Sequence, residues 1–179
     1  MTDRTWKSFV RNLADRIELD VMAVLDGLDP ALLDAVPEPG TNSIGWLLWH
    51  LTRSHDRNVS ELHGQAQLWV ADGWHARFGR PGDPDETGYR HTPAQVASFH
   101  SPEPAVVAAY HRAVVARFHA YLDAAPAGEP ARLAISPTLG NAVPVQERLV
   151  GVLVEGLEHV GQAALLRGLL QRRAGVASE

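Results

Sequence analysis

Apolar residues recur along this chain at steps of three and four, the period of a helix that buries one face. The first run is Phe9, Leu13, Ile17, Val21, Val24 and Leu28. Asp29-Pro30 then has the form of an N-cap and first-turn proline for a short helix over residues 31–35, and Pro37-Glu38-Pro39-Gly40 breaks the chain. Thr41-Asn42-Ser43 offers caps for a second helix with the stripe Ile44, Leu48, Leu51, Val59 and Leu62, and His55 in the same row. From residue 64 to 90 the period fades into a Gly- and Pro-punctuated loop given apolar mass by Trp69, Trp74 and Phe78. Thr92-Pro93-Ala94-Gln95 reads as a capping box opening a short helix that ends near His100.

Ser101-Pro102-Glu103 repeats the cap-and-proline signal before a third long helix with Val107, Tyr110, Val114, Phe118 and Tyr121 on one side. Residues 126–130 end it, and 132–135 suit a short extended stretch. Pro144 opens the last helix, whose stripe is Leu149, Leu153, Leu157, Val160 and Ala164, with fraying expected near residues 172–175. Period-two β-branched runs are nearly absent, so a sheet is not expected. Four long amphipathic helices, short extra helices and one long aromatic loop predict an all-α four-helix bundle.

Composition narrows the function classes. With 179 residues, 45% hydrophobic and 21% charged, the chain suits one globular domain over residues 1–179. The formal net charge of −5 argues against non-specific nucleic-acid binding and against a polybasic membrane anchor. Unbroken apolar runs fall short of the ~18 residues of a membrane helix, and the start Met1-Thr2-Asp3-Arg4 is polar, so no membrane association and a cytoplasmic location are expected. Cys is 0, which removes thiolate ligands and a cysteine nucleophile.

His numbers 9, and the placement of these residues raises the chemical question. Glu155 and His159 are four apart and share a helix face at the edge of the apolar stripe. His50 lies in the row Ser43, Leu47, His50, Ser54 and Arg57 on the second helix, beside its stripe. Pooled across a bundle core, His50, Glu155 and His159 make a two-His-one-carboxylate set suited to zinc or another first-row metal. The bland alternative is a core histidine bonded to a backbone carbonyl and a helical Glu–His pair. Glu158 points about 100° away from His159 and is read as exposed. His111 and His119 are read as exposed or capping, and His55 and His63 as lying outside the site. Asp56 and Arg57 are either outer partners of a ligand or a solvated face. Gln162 is placed to orient a ligand, Arg167 to meet an anion or a surface carboxylate, and Gly161 and Gly168 to allow close helix approach. Trp69 and Trp74 either wall a pocket or pack the loop.

The stretch Pro39-Gly40-Thr41-Asn42-Ser43-Ile44-Gly45-Trp46-Leu47-Leu48-Trp49-His50-Leu51 resembles the second-helix signature of the DinB/YfiT-like family. Glu158-His159-Val160-Gly161-Gln162 through Leu166-Arg167-Gly168 resembles its last-helix signature, and Gly73-Trp74 with Phe78-Gly79 its aromatic loop. The resemblance implies a metal-binding four-helix bundle, a homodimer, and ligands at His50, residue 155 and His159. The common pattern there is three histidines; Glu155 departs from it, as does the branch similar to mycothiol-dependent maleylpyruvate isomerase, which carries His-Glu-His. The relatives include S-transferases and isomerases using mycothiol or bacillithiol. The function so implied is a divalent-metal enzyme that activates a low-molecular-weight thiol and acts on a small-molecule substrate. Zinc is the expected metal, with nickel, manganese or iron as others. Alternatives are a metal-dependent hydrolase, a non-catalytic metal- or small-molecule-binding bundle, and a structural homodimer.

Overall fold

The structure, a computed structural model, describes residues 4–176. Residues 1–3, part of the polar start considered above, lie outside the described residues. Its helices are α1 (Arg4–Leu25), α2 (Ile44–Leu62), α3 (Leu68–Ala71), α4 (Trp74–Arg77), α5 (Pro93–Ala97), α6 (Pro104–Ala124) and α7 (Val145–Val176). Two strands, β1 (Leu133–Ile135) and β2 (Ala142–Pro144), pair as an antiparallel hairpin.

The four long helices close a ring in the order α1, α6, α2, α7. Named contacts give their directions. Arg11 bonds Asp123 and His119 bonds Asp15, so α1 and α6 are antiparallel. His55 meets Val152 while Arg148 meets Asn58, so α2 and α7 are antiparallel too. The predicted stripes supply the core, with Ile17, Leu48, Val114, Phe118 and Leu153 all buried. The bundle is therefore the predicted one, and its caps form as read: Asp29 over a 3-10 turn (Pro30–Leu32), Ser43 over α2, and a full capping box at Thr92.

Several local expectations change. Phe9 is 65% exposed because the inward face of α1 at this level is Trp6, Val10 and Leu13, which pack on the core in its place. Ala163, not Ala164, is buried in α7, and the helix continues past residue 175 instead of fraying at 172. The extended stretch gains a partner strand, so a two-stranded hairpin exists where no sheet was expected. The residue 64–90 loop contains the single turns α3 and α4 and is packed by Trp69, Trp74 and Phe78 against Tyr110.

An 18-residue window of α7 has a mean hydropathy of 1.4, long and apolar enough by length and composition to cross a membrane. A search for unbroken apolar runs misses it because Glu155, Glu158 and His159 interrupt the helix. In the fold α7 lies against α1 and α2 as a bundle helix.

The polar interior is also a finding. Asp56 is fully buried, neither an outer partner of a ligand nor solvated. Its Oδ1 accepts from Ser60 and the Leu68 amide, and its Oδ2 from the Trp69 amide, Tyr110 and Arg53. Arg53 in turn donates to the carbonyls of Pro84 and Glu86 and lies over the Trp69 ring. Thus α2 holds both ends of the long loop, whose backbone would otherwise lack partners.

His111 is buried, against the expectation of an exposed or capping role, whereas His119 is half-buried and paired with Asp15. The Thr52 hydroxyl donates to the Leu48 carbonyl, so His111 Nδ1 donates to Thr52 Oγ1, leaving a buried Nε2 without a partner. Burial, helped by nearby His55, pushes His111 down to about 3. The unfolded chain therefore holds a proton that the folded chain refuses between the ordinary value of 6.5 and about 3. Stability falls as pH drops through that window, by about 2 kcal/mol from pH 7 to pH 5 for this residue alone. Urea melts of the metal-stripped protein at the two pH values should show a shallower decline in His111→Leu than in the wild type. Parallel declines would remove His111 as the source.

Candidate metal centre

Three side chains from two facing helices converge at one end of the α2–α7 seam. Ligand atoms of His50, Glu155 and His159 all lie within 4.8 Å of one another, a spacing that could hold a metal ion. His50 Nε2 is 3.0 Å and His159 Nε2 3.8 Å from the same oxygen, Glu155 Oε1. Neighbours turn each group inward. His50 Nδ1 donates to the Thr87 carbonyl at 2.5 Å, and His159 Nδ1 to Gln162 Oε1 at 3.3 Å. Ser54 donates to Glu155 Oε2, leaving Oε1 for the two imidazoles. Outer hydrogen bonds of this kind fix tautomer and ring orientation at metal sites.

The chemistry of the donors supports the fit. A carbonyl only accepts, so His50 carries its proton on Nδ1. Its Nε2 then faces a carboxylate oxygen at hydrogen-bond distance. That contact is favourable only if a positive charge lies on the ring or between the two atoms: a second proton or a metal cation. Burial raises Glu155, but hydrogen bonds from His50 and Ser54 and the charges of His50 and His55 outweigh it, so the carboxyl sits below its ordinary value. Burial and the neighbouring His50 lower His159 despite the pull of Glu155. A carboxylate and a neutral imidazole are the states a divalent ion needs.

The backbone is cut to suit. Gly156 has the closest approach in the seam: a Cβ there would lie 2.7 Å from His55 Nε2 and 3.0 Å from Ile17 Cδ1. Gly161 has open space around it and Gly168 only the end of Arg172, so the expected role in helix approach belongs to Gly156. Gly88 has φ +88°, and a Cβ there would lie 2.9 Å from Trp49, 3.0 Å from His50 Nδ1 and 3.0 Å from Trp46. This glycine lets the loop press onto α2 and bring the Thr87 carbonyl to His50.

Two of the trio, His50 and Glu155, open onto a cavity of about 580 Å³. Its walls are the α2 row His50, Ser54, Arg57, the α7 residues Arg148, Val152, Glu155, the loop at Thr87 and Tyr89, and the hairpin turn at Ser136–Asn141. Trp69 and Trp74 are not in this wall; they pack the loop. His55 lies outside the trio with its Nε2 on the Val152 carbonyl, and His63 is beside Tyr121. Glu158 is exposed, as expected. Among the described residues Arg167 pairs with no carboxylate: it donates to the carbonyls of Ala23 and Val24, capping the end of α1. Sequence reasoning missed Thr87, Gly88 and the hairpin turn. The positive-φ glycine in Glu86-Thr87-Gly88-Tyr89 was the one signal available.

Replacing Gly88 by Ala should push Thr87 off His50 and lower zinc affinity about 10- to 100-fold, the usual cost of losing an outer partner. Competition with a chromogenic chelator measures this. An affinity equal to the wild type's, in a variant whose helical circular dichroism is intact, would show that the Thr87 carbonyl does not orient the ring.

Comparison with known proteins agrees with this geometry. The family model of the DinB superfamily matches residues 14–163. Among solved structures, a conserved protein of a locus from Enterococcus faecalis superposes with a TM-score of 0.79 at 26% identity, over 89% of this chain and 94% of that one. No curated protein matches. The matched span includes α2, the loop and the His50–Glu155–His159 cluster, and the chain belongs to the DinB superfamily.

Proposed function

We propose that the protein is a divalent-metal enzyme that binds and activates a low-molecular-weight thiol for S-transfer or isomerisation. The supporting observation is the inward convergence of His50 Nε2, His159 Nε2 and Glu155 Oε1, with His50 and Glu155 in the wall of a 580 Å³ cavity. Two imidazoles and one carboxylate suit zinc, with nickel, manganese and iron in the same donor class. Three protein ligands leave room for one from outside. A bound divalent cation would supply Lewis acidity that lowers the pKa of a thiol. The chain has no Cys, so a thiolate has to arrive with a cosubstrate. The protein's own residues hold the site in shape. Thr87 and Gln162 keep both Nε2 lone pairs inward, Ser54 occupies the spare carboxylate oxygen, and the hairpin and Tyr89 loop set what fits above.

Cobalt-loaded protein tests the reading in two stages. One ion per chain should bind, and His159→Ala and Glu155→Ala should each abolish uptake. Adding a small thiol should then produce a sulfur-to-cobalt absorption band and accelerate substitution on an electrophilic aryl chloride, in which the C–S bond replaces C–Cl and chloride and the thiol proton are released. Uptake unaffected by both substitutions would remove the site. Uptake without any thiol band would leave a metal-binding protein that does not activate thiols.

A further inference from the structure

The cavity has two ends, and the trio accounts for one. On α2, Arg57 follows His50 by seven residues; on α7, Arg148 precedes Glu155 by seven. Seven residues are two helical turns, about 10 Å along the axis. Because the helices are antiparallel, both arginines come to the same end, away from the trio. Both line the cavity. Arg148 donates to Asn58 and the Ile135 carbonyl, and Arg57 to the Pro137 carbonyl, so each also ties the hairpin or α2 to that end.

Their counter-ions lie outside. Arg57 pairs at 2.9 Å with Asp85, whose side chain is 77% exposed. Arg148, 3% exposed at the side chain, pairs at 3.2 Å with Glu61, which is 41% exposed. Neither Asp85 nor Glu61 lines the cavity, whereas Arg57 and Arg148 do. Arg57 has donors to spare, whereas Glu61 holds both Nη groups of Arg148. Arg148 Nε is buried with no hydrogen-bond partner among the described residues. Arg57 uses only Nη2 in its bonds. Asn58, Ser136 and Asn141 add neutral polar groups, and exposed Glu147 is the one acidic residue in the wall besides Glu155.

We propose that this arginine end is an anion subsite that takes a carboxylate of the substrate or thiol cosubstrate, while the rest of the molecule reaches the His50–Glu155–His159 end. A guanidinium fork matches a planar carboxylate. With Asp85 and Glu61 already balancing the two guanidinium charges and Glu147 in the wall, a monoanion on the free donors of Arg57 fits better than a phosphate dianion. The span of about 10 Å sets the ligand's length. The far end rests on the metal reading above; the subsite itself needs no metal.

The test separates the two. On metal-stripped protein, hexanoate and hexanamide are titrated by NMR. On cobalt-loaded protein, ω-mercaptohexanoate is compared with ω-mercaptohexanol. Each carboxylate should bind about tenfold more tightly than its neutral analogue. Arg57→Gln should erase that preference and leave the alcohol's affinity as it was, which shows the cavity intact. Asp85→Asn, a change at an exposed residue, should strengthen carboxylate binding by freeing Arg57, and this variant decides the matter if Arg57→Gln folds poorly. Equal affinity for charged and neutral ligands overturns the subsite even where the thiol band shows that the metal end works. A carboxylate preference without cobalt uptake upholds the subsite and overturns the metal reading alone.

Discussion

The buried Arg53–Asp56 pair on α2 is the contact on which the site's shape depends. An ion pair taken out of water is tolerable only when its remaining donors and acceptors are satisfied. Here the long loop satisfies them. Asp56 captures the first amides of α3, and Arg53 captures the carbonyls of Pro84 and Glu86. Thr87 follows directly, and its carbonyl can lie only within reach of that anchor. The orientation of His50 is thus inherited from a charge pair one helical turn away that touches none of the three candidate ligands. Such a pair contributes little net stability compared with apolar packing. It does select one path for a loop that hydrophobic packing alone would leave under-determined.

The same economy explains why α2 is so polar and yet so buried, with 14 of its 19 residues inside. A helix surrounded on most sides cannot keep a solvated face, so its polar residues are shared out among its neighbours. Thr52 meets α6, Arg53 the loop, Asp56 both α3 and α6, and His50 with Ser54 meets α7. Where neighbours come close, the side chain is dispensed with: Gly45 admits Ser101, Gly156 admits His55, and Gly88 admits the face of Trp46, Trp49 and His50.

Periodicity made the bundle legible, along with part of the site. The four-residue step from Glu155 to His159 and the row through His50, Ser54 and Arg57 are helix properties, and both faces meet as read. What escaped was written in no period. The Thr87 carbonyl is a backbone atom, and every residue type has one. The hairpin turn reaches the cavity from a separate part of the chain. The burial of Asp56 and His111 reverses the usual reading of polar residues on a helix, because a single stripe does not reveal that a helix has neighbours on several sides. Arg167 shows the reverse case: a cation eight residues after a candidate ligand suggested an anion, but the nearest unmet acceptors were the last carbonyls of α1.

Glu155 is the residue at which this chain departs from the three-histidine pattern, and its surroundings are suited to the change. An imidazole offers one lone pair and one donor, whereas a carboxylate offers two acceptor oxygens. Ser54 takes one and both histidines face the other, so no acceptor is left idle in a half-buried place. A carboxylate also contributes a full negative charge where a neutral ring contributes none. In the metal reading, a divalent ion held by this trio leaves one net positive charge at the cavity head, in place of two with three imidazoles. A weaker local field polarises an external ligand less, and the harder oxygen donor shifts preference away from the softest metals. The surrounding hydrogen bonds fix which oxygen faces inward, so the substitution sets the electrostatics of the site without loosening its geometry.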